Sequence, residues 1–190
     1  GVGGIVTSQG VGMSVPDWPN TYGYNMFYFP LSQWVGGIFW EHSHRLMASL
    51  VGLMTLILTI WAHGRSGRSL LRYVILPLSI LLTFLVLINA ENNTLQHASI
   101  TAGTGFIALF ASFFWPRMKP ASKSIRKLCW IALLMVIGQG LLGGLRVTLY
   151  KDEIGIIHAT LAQLFLVLLV AIAFVSSQRW IGWRAASKDN

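Results

Sequence analysis

Residues 40–46 read WEHSHRL and lead straight into an apolar run, MASLVGLMTLILTIWA. A glutamate, two histidines and an arginine thus stand at the mouth of a membrane-length segment. Glu41 and His44 are three residues apart, so on a helix they share a face, with Arg45 on its shoulder and His42 directed elsewhere. A carboxylate here can move protons or stabilise positive charge. A neutral imidazole ligates iron, heme iron included. A guanidinium forks onto a carboxylate. A plain Glu41–Arg45 ion pair at the membrane boundary accounts for the charges but leaves His44 unexplained. Ionisable groups at the hydrocarbon edge are costly and face a bundle interior or a polar cavity.

The chain has 190 residues, 54% hydrophobic and 11% charged, with a mean hydropathy of +0.62. Soluble domains carry about 25% charged residues, so the composition excludes an ordinary soluble enzyme and predicts an all-α integral membrane protein. A bilayer core takes roughly 20 apolar residues per helix. Five segments have that length, about 44–62, 72–90, 97–116, 128–147 and 156–177. Residues 1–6 read as the end of a truncated helix, 7–43 as an outer aromatic loop, 44–183 as the transmembrane bundle and 184–190 as a cytoplasmic tail.

The net charge of +8 calls for no nucleic acid, because basic residues orient membrane proteins. Alternating crossings put Arg65, Arg68, Arg72, Arg117, Lys119, Lys123, Arg126, Lys127, Arg179, Arg184 and Lys188 on one side. Asp17, Glu41, Glu91, Asp152 and Glu153 fall on the other. The positive-inside rule makes the basic side cytoplasmic and predicts a multi-pass protein of a bacterial-type inner membrane. Cys129 is the one cysteine, so no intrachain disulfide forms.

Three helices then begin on the outer side, each with a histidine near its first turn: His44, His97 and His158. One shared depth points to one site near the outer surface; histidines merely tolerated near water are the plainer alternative. His44 and His158 can supply two axial ligands to a heme iron from facing helices. Zinc is less attractive, because no CxxC or HExxH pattern is present. In GQGLLGGLRV, Gly140, Gly143 and Gly144 either let a helix approach closely or leave a flat slot for a porphyrin face. Arg45 and Arg146 either pair with heme propionates or anchor the interface. Residues 7–40, rich in Gly, Pro, Trp, Tyr and Phe, read as an ordered cover over the site, with Asp17 shaping a turn. The stretches from 94 and 155 share a His-Ala-(Ser/Thr) start, consistent with a helical-hairpin repeat.

GGIVTSQGVGMSVPDWPNTYG, EHSHR, QGLLGGLRV and HATLAQ, in this order and spacing, resemble the heme A synthase family over about residues 1–63 and 128–183. The resemblance implies an integral membrane protein of cytochrome oxidase assembly, built from eight helices in two four-helix halves. It implies oxidation of the heme O C8 methyl group to a formyl group. One half takes the heme O substrate; the other carries a heme b cofactor. This chain looks like the amino-terminal, substrate-binding half. By the motif match, Glu41 is the acidic residue needed for activity, and His44 and His158 are the iron ligands. With both axial positions filled by imidazole, electron removal and water attack is the expected route to the formyl group.

Three departures stand out. The family's second half has no counterpart in these residues, so the chain is expected either to be cut from a longer protein or to find a second heme site in another subunit. Residues 72–127 insert about two helices, which leaves the role of His97 open. The outer loop lacks the cysteine pair of some members. Expected partners are the lipid bilayer, a heme O synthase or other heme donor, and a second copy of the chain. Two alternatives stay open: a non-enzymatic bis-histidine b-type cytochrome or heme-handling protein, and a membrane subunit without a cofactor.

Overall fold

The computed structural model describes residues 2–89 and 93–186, apart from the side chains of 184 and 185. Glu91 and Lys188 lie outside the described residues. Five helical spans are long and apolar enough to cross a membrane: Gly36–Ala62, Gly64–Ile88, Thr94–Phe114, Lys123–Leu149 and Asp152–Val175. The chain is an all-α membrane bundle. In chain order, α1 (Val2–Ser8) leads into the outer loop. Then come α2 (Gly36–Ala62), α3 (Gly67–Leu70), α4 (Leu76–Ile88), α5 (Thr94–Phe114), α6 (Lys123–Leu149), α7 (Asp152–Val175) and α8 (Gln178–Ala186).

Every span is longer than the apolar run that announces it. The largest difference is at α2, which begins at Gly36 rather than near residue 44. Hydropathy stops at EHSHR because charges are costly in hydrocarbon. At 27 residues, α2 is about 40 Å long against a bilayer core of about 30 Å. Its outer turns therefore stand in the interface, where the loop supplies partners for those charges. Glu41 to Arg45 sit inside a helix, roughly one and a half to two and a half turns from its start, and not at its mouth.

The second span is composite. A 3-10 turn (Gly64–Ser66) and α3 pass through a π-helical stretch (Leu71–Ile75) into α4. The Leu76 N–H bonds Leu71 O, five residues back. Pro77 follows at once; it offers no N–H, and its ring would crowd the carbonyl four residues earlier. A single wide turn relieves that crowding.

Two packed groups make up the bundle. Ala62, Cys129, Ala132, Phe165 and Ile172 join α2, α6 and α7. Thr59 Oγ1, buried between α2 and α6, donates to Cys129 O at 3.2 Å. The α4–α5 hairpin closes on small residues: Gly105 lies directly against Ser79, and Thr83 Oγ1 donates to Thr101 Oγ1 at 2.8 Å. Ile60, Leu71 and Ala108 tie this hairpin to α2 near the basic side. Most large apolar side chains elsewhere on the spans, such as Leu81, Phe84, Phe110 and Leu166, face outward. In water that would be a defect; against lipid tails it is the solvated state.

The outer loop is ordered and carries the one small hairpin, Asn20–Thr21 paired with Tyr24–Asn25. Tyr22 and Gly23 both have positive φ, 48° and 79°, the geometry of a type I′ turn. Both Asp17 carboxylate oxygens accept from that turn, Oδ1 from Tyr22 N–H and Oδ2 from Gly23 N–H, each at 2.8 Å.

On the basic side, the 63–67 turn is knitted to residues 115–121. Arg65 N–H donates to Met118 O at 3.0 Å and Ala121 N–H to Ala62 O at 2.9 Å. Trp115 Nε1–H donates to Gly64 O at 2.9 Å. Gly64 has φ +55°, and a Cβ there would meet Met118 O at 2.6 Å. Gly64→Ala is therefore expected to cost about 1–3 kcal/mol, read as a lower unfolding temperature in detergent. Gly103→Ala, where a Cβ meets open space, should leave it unchanged or raised.

Candidate functional site

The outer end of α2 is organised by Arg45. Its Nη1 donates to Asp17 O at 2.6 Å and Asn20 O at 2.9 Å. Its Nη2 donates to Val15 O at 2.8 Å and to Glu41 Oε1 at 2.8 Å. All four Nη hydrogens are thus committed, and only Nε–H is left for another partner. Glu41 Oε2 accepts the Val15 N–H at 2.8 Å. Both side chains are buried. The ion pair foreseen from the i, i+4 spacing exists, but its larger job is to hold three loop carbonyls and one loop N–H against the helix.

His42, on the neighbouring face, is buried completely. Its Nδ1 lies 3.2 Å from Thr21 Oγ1. Its ring packs on Phe29 and Trp34, with centroids 5.0 and 4.7 Å away. His42 is thus a second clamp on the loop. The sequence marked only that it points away from His44; the aromatics that receive it lie 8–13 residues upstream, with no spacing rule to connect them.

That leaves His44, and here the helices converge. The His44 and His158 ring centroids are 6.4 Å apart, with planes at 84°. Helices α2 and α7 both pack on α6 and scarcely touch each other, so the two imidazoles approach each other from helices that share α6 as a neighbour. Gly143 of α6 lies behind His158, where a Cβ would be 3.5 Å from Cε1. Gly3 of α1 lies behind His44, where a Cβ would be 3.1 Å from Cε1. His158 Nδ1 is buried without a hydrogen-bond partner, although the ring lies beside the Gln139 backbone.

The three glycines of α6 do different things. Gly143 makes room for the His158 ring. Gly144 lies under the indole of Trp18, which occupies the space a side chain would need. Gly140 opens onto free space. Trp18 is therefore a loop residue seated on the helix that backs the site, and nothing in its sequence surroundings announced that contact.

Arg146, one turn from the outer end of α6, lies between Gly12 and Gly155. It is close enough to both imidazoles to act on them electrostatically. Its Nε is buried without a partner, and its contact with Asp152 is a long 3.5 Å to an exposed carboxylate. Such a pair contributes little, so Arg146, unlike Arg45, keeps donor capacity. His97 is placed apart: its Nδ1 sits 3.0 Å from Asn25 Nδ2. Gln96 Oε1 accepts the Asn25 N–H at 3.2 Å, and Asn93 Nδ2 donates to Gly23 O at 2.5 Å. The start of α5 is docked onto the loop hairpin, and His97 makes no ring contact with His44 or His158.

The ring spacing equals that of two axial imidazoles on one metal. Two imidazole nitrogens at about 2.0 Å on opposite sides of one metal, with about 1.2 Å from nitrogen to ring centre, put the centroids roughly 6.4 Å apart. Among the described residues no three His, Cys, Asp or Glu side chains converge on a metal position. Iron held by His44 and His158 would therefore bring its own equatorial ligands, as heme iron does. An apolar cavity of about 310 Å³, lined by Met135, Gly138, Leu141, Leu142 and Leu161, continues along α6 and α7. Leu161 is one turn past His158, towards the membrane interior.

Comparison with known protein families, characterised proteins and solved structures finds no match. Fold and charge define the class, a multi-pass membrane protein with five spans; the site alone carries any closer reading.

Removing one member of a buried ion pair costs about 3–5 kcal/mol because the other is left uncompensated. Arg45→Gln should therefore free the loop, seen as faster proteolysis between residues 9 and 35 and a lower unfolding temperature. Glu41→Gln/Arg45→Gln should be less destabilised than the sum of its two single variants. Additivity would mean that the two groups do not act as one clasp.

Proposed function

We propose that the chain is a heme protein of the heme A synthase type. In this reading heme O is the substrate, its iron ligated by His44 and His158 and its C8 methyl oxidised to formyl. The observation that carries the reading is the 6.4 Å separation of the two rings, which come from different helices. Ordered motifs shared with that family supply the reaction. Arg146, with its unsatisfied Nε, suits a propionate. The apolar cavity past Leu161 suits an isoprenoid tail. Conversion of the methyl to a formyl group takes one water and releases four protons and four electrons. The electrons go to an acceptor outside this chain. Bound heme contributes the redox centre; the protein fixes its orientation and covers it with the loop.

Glu41 supports a second reading as well. Its carboxylate is held by Arg45 and the Val15 N–H, a structural role that a b-type cytochrome would need just as much. The two readings separate on one variant. Co-expression with a heme O source, then chromatography of the extracted heme, should show heme A with the native chain. Glu41→Gln keeps an oxygen acceptor for the loop and should retain bound heme while losing heme A by at least tenfold, on the order of a general acid–base contribution. Heme A formation by Glu41→Gln at the native level, or bound heme that is never converted, would favour the cytochrome.

A further inference from the structure

The basic side carries a second pocket, unrelated to the histidine pair. Arg65, Arg68, Phe113, Trp115, Pro116 and Arg117 line a cavity of about 430 Å³. It lies where the second span begins and the third ends. Its floor is firmly built. Trp115 is fixed by its bond to Gly64 O at 2.9 Å, and Gly67 lies against the Trp115 ring. The Arg72 guanidinium sits 4.8 Å over the Phe113 ring, and its Nε donates to Ser112 Oγ at 2.9 Å. Arg72 is thereby spent on holding the wall.

The three arginines at the rim are different. Arg65, Arg68 and Arg117 are exposed, and their guanidinium groups have no ion pair; both ion pairs among the described residues are on the outer side. No acidic residue among the described residues lies on this side at all. Orientation of the protein requires only positive charge, which lysine supplies equally well. Yet the lysines of this side, Lys119, Lys123 and Lys127, lie outside the cavity lining, and the lining holds arginine alone. Arginine is the residue whose planar fork matches a phosphate.

We propose that this pocket binds the phosphate of an anionic phospholipid headgroup from the leaflet on the basic side. Three guanidinium groups converge on it, and the Phe113–Trp115–Pro116 wall packs against the glycerol and upper acyl chains. Basic pockets between spans on the cytoplasmic side are suited to such lipids.

The test is lipid retention by the 190-residue chain. Protein in phosphatidylcholine nanodiscs doped with phosphatidylglycerol or cardiolipin is extracted into mild detergent, and native mass spectrometry counts bound lipid. The native chain should retain anionic lipid over phosphatidylcholine. Arg65→Gln/Arg68→Gln/Arg117→Gln should lower that retention about tenfold or more. Lys119→Gln/Lys123→Gln/Lys127→Gln, which removes the same three charges from the same side, should keep it within about twofold. Equal loss in both variants would overturn the proposal in favour of general surface charge. Competition by millimolar inorganic phosphate as effective as lipid would overturn it in favour of a soluble anion. The arginine variant must also show native unfolding in detergent; if it does not, Arg117→Gln alone should lower retention while unfolding stays native, and native retention there would equally overturn the proposal.

Discussion

The outer half of the molecule depends on one buried guanidinium. Arg45 gathers the carbonyls of Val15, Asp17 and Asn20 and the Glu41 carboxylate around a single planar group. A loop of some thirty residues has many conformations to lose, and backbone ordering costs about 1–2 kcal/mol per residue. Scattered apolar contacts on a helix end would offset little of that. A charge at the hydrocarbon edge of a membrane helix is itself too costly to leave alone, so loop and helix satisfy each other. The loop closes the arginine off from lipid, and the arginine gives the loop its anchor.

From that anchor the rest of the outer surface is placed. Val15 and Asp17 are pinned, so the Tyr22–Gly23 turn is pinned through the Asp17 carboxylate. The turn then receives the start of α5 through Asn25 and Asn93. Trp18 is set down on Gly144, and Thr21, Phe29 and Trp34 enclose His42. His44 is one residue before Arg45 on the same helix. The register that commits Arg45 to the loop turns His44 towards His158 instead. Adjacent residues thus diverge: Glu41, His42 and Arg45 hold the cover, and the His44 ring is left facing that of His158.

The five spans were legible because hydropathy over twenty residues is a strong, additive signal. The His44–His158 pairing was legible too, since both lie near the outer start of alternate helices. Helix ends were not. The charges at Glu41 and Arg45 cut Gly36–Trp40 off from the apolar run and read as a boundary until the loop that neutralises them is in view. The separate fates of Gly140, Gly143 and Gly144 were equally hidden, because a glycine announces a close approach and not what approaches. His97 shared its depth with the other two histidines yet docks the loop. Depth is written in sequence; azimuth around the bundle is settled by packing.

The central claim is that two imidazoles share one iron. Electron paramagnetic resonance of the heme-reconstituted ferric protein tests it most directly. The account predicts a six-coordinate low-spin signal in the native chain, converted to high-spin by either His44→Ala or His158→Ala and unaffected by His97→Ala. A low-spin signal that survives loss of either His44 or His158 would contradict it.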